Sequence, residues 1–222
     1  MGSAVVADPV AAAQLLATAA TTAASAPAPP VRHPEPLATS GPAPLRPTDV
    51  FTVLAAVSGP DLAMVNESAS NLSTLFECWR PTGPRSLFFS GSGGLGFGAA
   101  AAVGVQLGMP DRPVLAVVGD GALQYSVQGL YTAAQYQIPV TFLVMRNQQY
   151  AILKWFGEQN DAPDVPGLDL PDLDSVKIAE GYGVPAKAVR ETGELEAALR
   201  SALAADGPRL IEVDIEGAAA VM

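Results

Sequence analysis

Two apolar runs, Val114–Val118 and Val140–Met145, each end on polar residues, and a helix-like segment rather than a turn joins them. The first run stops at Gly119-Asp120-Gly121 and the second at Arg146-Asn147. Two short buried strands around a helical pattern read as a strand, a crossover helix and a parallel strand. Parallel strands place their carboxyl ends on one edge of the sheet. Asp120 and Asn147 are therefore expected to face one crevice, although 26 residues (121–146) separate them. A carboxylate and an amide oxygen converging beside small glycines suit a hard cation that carries phosphate.

The rest of the chain repeats the alternation. Strands are expected at 63–66, 87–89, 185–189 and 209–215, and helices at 49–58, 69–79, 99–107, 174–181 and 193–205. Thr48 and Thr192 are the expected N-caps of two of these helices, and Gly207-Pro208 stops the last one. Strand–helix alternation predicts an α/β fold, a mostly parallel sheet with helices on both faces. The section 157–173 reads as loop-rich because Pro163, Pro166 and Pro171 interrupt it. Upstream, AVVAD (4–8) and an Ala-rich helix (9–25) resemble the last β–α piece of a preceding domain. Residues 26–47 hold eight of the chain's 20 prolines and read as an extended linker. The expected organisation is a remnant at 1–25, a linker at 26–47, the main domain at 48–216 and a tail at 217–222.

Charge narrows the function. The net charge is −10 with only 12 Lys and Arg, which argues against a nucleic-acid surface and an anionic membrane surface. Backbone N–H groups and a metal must then supply the positive field for any bound diphosphate. No segment reads as transmembrane or as a signal peptide. Cys78, the single cysteine, can form no internal disulfide, which fits a reducing compartment such as the cytoplasm. His33, the single histidine, sits between prolines with no second metal ligand near it in sequence.

Gly91-Ser92-Gly93-Gly94-Leu95-Gly96 fits G-x-G-x-x-G after a strand and before a helix. A dinucleotide site would want its ribose acid about 20 residues on. Asp120 lies 24 positions past Gly96, with a glycine on each side. Three readings stand: a nicotinamide or flavin site, glycines that let the Ala-rich helix pack closely, or a turn lining a pocket.

Gly119-Asp120-Gly121, 25 further residues and Asn147 together resemble the metal-diphosphate motif of thiamine diphosphate (ThDP)-dependent enzymes. Asn66-Glu67-Ser68, the SGSGGLGFG turn, YTAAQYQIP, Lys154-Trp155-Phe156, PGLDLPDLD and GPRLIEVDIE are similar to the C-terminal region of the benzoylformate decarboxylase family. The resemblance covers about residues 48–216. It implies Mg2+ held by Asp120, Asn147 and the Gln149 carbonyl. It implies a diphosphate held around Ser68, Ser70, Gly119 and Gly121-Ala122. Leu95 would support the bent cofactor, Gly93 would face its aminopyrimidine, and Tyr150 would border its reacting end. Phe89, Ile152, Leu153 and Phe156 would line the substrate pocket.

The implied activity is non-oxidative decarboxylation of a small-molecule 2-oxo acid of benzoylformate type. Acetolactate synthase-like carboligation and a non-catalytic ThDP-Mg2+-binding fragment are the alternatives, with a NAD-dependent oxidoreductase more remote. In the family, a pyrimidine-activating Glu and the active-site histidines come from elsewhere, across a subunit interface. No catalytic residue is therefore expected in this chain, which would act in a homo- or hetero-oligomer with a pyrimidine-binding domain of another chain. Four positions depart from the pattern: Arg146 replaces a usual Asn, Ala69 and Ala122 replace hydroxyl residues, and Ile152 replaces a smaller residue.

Overall fold

The computed structural model describes residues 7–20 and 44–217. The chain divides into two units, Met1–His33 and Pro34–Met222. In the first, α1 (Pro9–Ala20) starts where the Asp8 carboxylate accepts the Val10 and Ala11 N–H groups at 3.0 and 2.9 Å, with Pro9 in the first turn. The strand expected at 4–8 and the linker's His33 lie outside the described residues, and Ala7-Asp8 carry no strand.

The second unit holds β1 (Ala63–Glu67), α3 (Leu72–Cys78), β2 (Leu87–Phe89), α4 (Gly98–Gly108), β3 (Val114–Gly119) and α5 (Asp120–Leu123). There follow α6 (Gln128–Gln135), β4 (Val140–Arg146), α7 (Ala151–Gln159), α8 (Ser175–Gly181), β5 (Ala186–Val189), α9 (Thr192–Leu203) and β6 (Arg209–Asp214). Ahead of them, α2 (Pro47–Val57) opens the unit. The strands form one sheet in the order β2-β1-β3-β4-β6-β5, and every pairing is parallel.

Period-two alternation along the central strands sends side chains to two cores. Met64, Leu115, Val117, Leu143, Ile211 and Val213 pack with α2, α3 and α9. Val65, Ala116, Val118, Phe142 and Val144 pack with α4, α6 and α8 on the other face. Strands buried on both faces need near-continuous apolar runs, which is how Val114–Val118 and Val140–Met145 read.

Two expected caps move. Pro47 occupies the first turn of α2, so Arg46 takes the cap position and the buried Asp49 accepts its backbone N–H at 3.3 Å and its guanidinium at 2.6 Å. At α9 the cap is Glu191 rather than Thr192, with Glu194 reaching back to the Arg190 N–H at 3.1 Å. Leu45 belongs to the sheet, three positions before the boundary expected at residue 48. It bridges Ile215, exchanges backbone hydrogen bonds with Asp214 and Glu216, and is fully buried. The helix α7 enters the section read as loop-rich and ends where the Ala162 N–H returns to the Gly157 carbonyl at 2.8 Å.

The chain leaves β1 outward to β2 and then returns to lay β3 on the other side of β1. Such a reversal opens a crevice at the carboxyl ends of the strands, where ligands of open α/β sheets bind.

Candidate cofactor and metal site

At the end of β3, Asp120 turns into α5 with its carboxylate 1% exposed. One oxygen accepts the Gly121 N–H at 2.9 Å and the other the Gln148 N–H at 2.7 Å. Burial pushes its carboxyl above the usual range, against the pull of those two amides and of the Arg146 charge. The second bond ties β3 to the turn after β4. In that turn Gln148 adopts a left-handed φ of 56°, and the Asn147 amide oxygen accepts the Gln149 N–H at 3.2 Å. A non-glycine residue at positive φ is uncommon, and Gln148 is held there by its N–H bond to Asp120.

A strap from 167 to 170 runs beside the turn. Gln149 and Asp169 form an antiparallel bridge, with Tyr150 N–H to Leu168 O and Leu170 N–H to Gln148 O both at 2.8 Å. Gly121 leaves room here for two side chains. A Cβ on it would lie 2.5 Å from the Tyr150 ring and 2.9 Å from Leu170.

On the β1 side, Ser68 is buried and its hydroxyl accepts the Asn71 amide at 2.9 Å. Glu67 binds the Phe97 and Gly98 N–H groups at 2.9 and 2.8 Å and so anchors the start of α4. Gly98 sits against Glu67 and Val118, with a Cβ only 2.8 Å from each. Close packing thus explains Gly98. Gly93 (φ 68°) and Gly96 (φ 95°) make the turn, while Gly91 and Gly94 meet little.

One crevice collects Ser68, Ser70, Leu95, Gly119, Asp120, Gly121, Ala122, Asn147, Gln149, Tyr150 and Ile152. Gly93, Phe89, Leu153 and Phe156 do not line it, and the last three are 54%, 42% and 43% exposed. Glu67 and Asn71 also line it. The signal for Asn71 was present in Ser-x-x-Asn, whose amide returns to the serine hydroxyl. The crevice holds about 40 Å³ and is open on one side, so a ligand the size of a diphosphate must extend beyond it. Among the described residues, no three His, Cys, Asp or Glu side chains gather to hold a metal. The donor set is one carboxylate plus neutral oxygens, which fits Mg2+ completing its octahedron with phosphate and water.

Arg146 points elsewhere. Its guanidinium meets Asp214 at 2.7 Å, Glu212 at 3.9 Å and the Leu173 carbonyl at 3.2 Å. Arg146 is thus a brace between β4, β6 and the segment before α8.

Fold and crevice together define a doubly wound α/β domain with a polar crevice at the carboxyl ends of its strands. Residues 69–213 match the family model described as thiamine pyrophosphate enzyme, C-terminal TPP binding domain, and the chain belongs to that family. It is 46% identical over 170 residues to a benzoylformate decarboxylase of Pseudomonas aeruginosa, covering 77% of this chain and 32% of that protein. It is 34% identical to the acetolactate synthase isozyme 3 large subunit of Escherichia coli, covering 60% of this chain and 24% of that one. Among solved structures, a ThDP-dependent 4-hydroxybenzoylformate decarboxylase of Rhodococcus jostii superposes with a TM-score of 0.87 at 38% identity, over 99% of this chain and 41% of that one. A benzoylformate decarboxylase of Polynucleobacter necessarius gives a TM-score of 0.77 at 40% identity, over 79% of this chain and 34% of that one. The chain spans about a third of the length of the P. aeruginosa relative. Family membership makes ThDP the cofactor and removes the dinucleotide reading of the glycine turn. No helix among the described residues is long and apolar enough to cross a membrane.

Proposed function

We propose that this chain is the diphosphate-binding part of a ThDP- and Mg2+-dependent 2-oxo acid decarboxylase of benzoylformate type. The observation that carries the proposal is the convergence of the buried Asp120 carboxylate with the Asn147–Gln149 turn beside Ser68 at one strand-end crevice. Asp120, the Asn147 amide oxygen and the Gln149 carbonyl hold Mg2+. The Ser68 hydroxyl accepts from Asn71 and keeps its own hydrogen for a phosphate oxygen. Ser70, Gly119, Gly121 and Ala122 line the diphosphate, and Leu95 and Tyr150 support the rest of the cofactor. Bound ThDP supplies an electron sink for the pair released when the carboxylate leaves as CO₂.

Gly93 faces the aminopyrimidine, and Phe89, Ile152, Leu153 and Phe156 border the substrate. Four of these five stand outside the small crevice, which suits a site closed by a second surface. That surface is a pyrimidine-binding domain from another chain, in a homo- or hetero-oligomer, and it brings the activating Glu. The assembly works in the cytoplasm, where Cys78 stays a thiol. The acetolactate synthase relative favours carboligation as the second reading.

The test is CO₂ release from benzoylformate, pyruvate and 4-hydroxybenzoylformate with ThDP and Mg2+. The pure chain is expected to release none. Adding a chain that carries the pyrimidine domain is expected to restore release, fastest with an aryl substrate. Turnover by the pure chain contradicts the division of labour, and acetolactate as the main product from pyruvate selects the second reading.

A further inference from the structure

The Gln149 carbonyl belongs to the same peptide group as the Tyr150 N–H. In a trans peptide the two point in opposite directions. Whatever fixes the Tyr150 N–H therefore aims the Gln149 carbonyl. What fixes it is the strap, through Leu168 O at 2.8 Å, while the Leu170 N–H holds the Gln148 carbonyl at the same distance. The strap lies in a stretch with three prolines and is bounded by Gly167 at φ 80°. Two backbone bonds alone give little resistance to opening.

One side chain spans both partners. Lys154, one turn into α7, reaches Asp169 on the strap at 2.5 Å and the Gln149 side-chain oxygen at 2.7 Å. Leu170 then seats against Gly121, next to Asp120. The latch thus touches the turn that carries two of the three oxygen donors.

We propose that Lys154 and Asp169 form a latch that positions the metal turn, holding the strap so that the Gln149 carbonyl stays aimed for Mg2+. This rests on the Mg2+ assignment made above. Lys154 is a positioning residue, since it acts on the metal only through Gln149 and the strap. An ion pair whose side chains are 33% and 79% exposed contributes little to global stability. Its effect should appear in local opening and in metal affinity, where loss of an outer partner costs about 10–100-fold.

The experiment uses the full chain and the variants Lys154→Met, Lys154→Arg and Asp169→Asn. Amide hydrogen exchange is followed at Tyr150 and Leu170 without ligand, with Val117 in the central sheet as reference. Mg2+ is then titrated calorimetrically in the presence of ThDP. Lys154→Met and Asp169→Asn are expected to speed exchange at Tyr150 and Leu170 about tenfold or more and leave Val117 unchanged. The same variants are expected to weaken Mg2+ about tenfold, and Lys154→Arg is expected to restore both. Unchanged exchange overturns the latch. Faster exchange with unchanged Mg2+ affinity overturns its positioning role. A wild-type chain that takes up no Mg2+ with ThDP overturns the metal assignment and the positioning role with it, and the exchange result still reports on the latch separately.

Discussion

Glu212 and Arg146 show how one residue's surroundings decide its effect. Glu212 is 6% exposed on β6, and burial raises its carboxyl above the usual range, against the Ser175 N–H at 3.0 Å and Arg146. The folded chain therefore holds that proton more tightly than the unfolded chain. The associated stability is present at low pH and is lost as pH rises through the folded pKa. Gln keeps an acceptor for Ser175 and carries no charge, so Glu212→Gln should raise Tm at neutral pH and leave it nearly unchanged in acid below the ordinary Glu range. An equal shift at both pH values in thermal denaturation contradicts this account. Arg146→Asn removes the cation from Asp214 and Glu212. It should cost about 1–3 kcal/mol in urea unfolding. The identity of Arg146 was plain in the sequence, but its role was not, because its partner Asp214 is 68 positions away.

At the scale of elements, the turn after β4 and the strap are held together by an antiparallel bridge and two backbone hydrogen bonds. Gly121 marks the point where they close over α5. Gly121→Ala places a methyl group into the Tyr150 ring and Leu170, and overpacking of this kind costs about 1–3 kcal/mol. Urea unfolding should show that loss, together with weaker Mg2+ binding as the turn shifts. Full stability in Gly121→Ala would mean that the strap yields freely. The central strands β3 and β4 were legible because short, mostly apolar runs that follow a proline and end at Gly119 or Arg146-Asn147 have few other uses. The strap was not, since its Leu168-Asp169-Leu170 alternation is too short to read as a strand and its pairing with Gln148–Tyr150 depends on backbone groups. The helix α7 was missed for a related reason. Its Lys154-Trp155-Phe156 read as a motif, and only Ala151 in it is buried.

For the whole molecule, one topological fact organises the site: the sheet reverses at β1, so β1, β3 and β4 deliver Ser68, Asp120 and Asn147 to one edge. Asp120 and Asn147 could be placed together from the sequence because parallel strands share an end. The outer residues could not. Phe89, Leu153 and Phe156 are half-exposed and gain a shared wall only if another surface covers them. The central claim is that the crevice binds ThDP through a metal. It is tested most directly by calorimetric titration of the 222-residue chain with ThDP, with Mg2+ and with the metal chelated, in the wild type and in Asp120→Ala. The account predicts binding by the wild type only when Mg2+ is present, and none by Asp120→Ala under either condition. Binding that ignores the metal, or survives in Asp120→Ala, contradicts it.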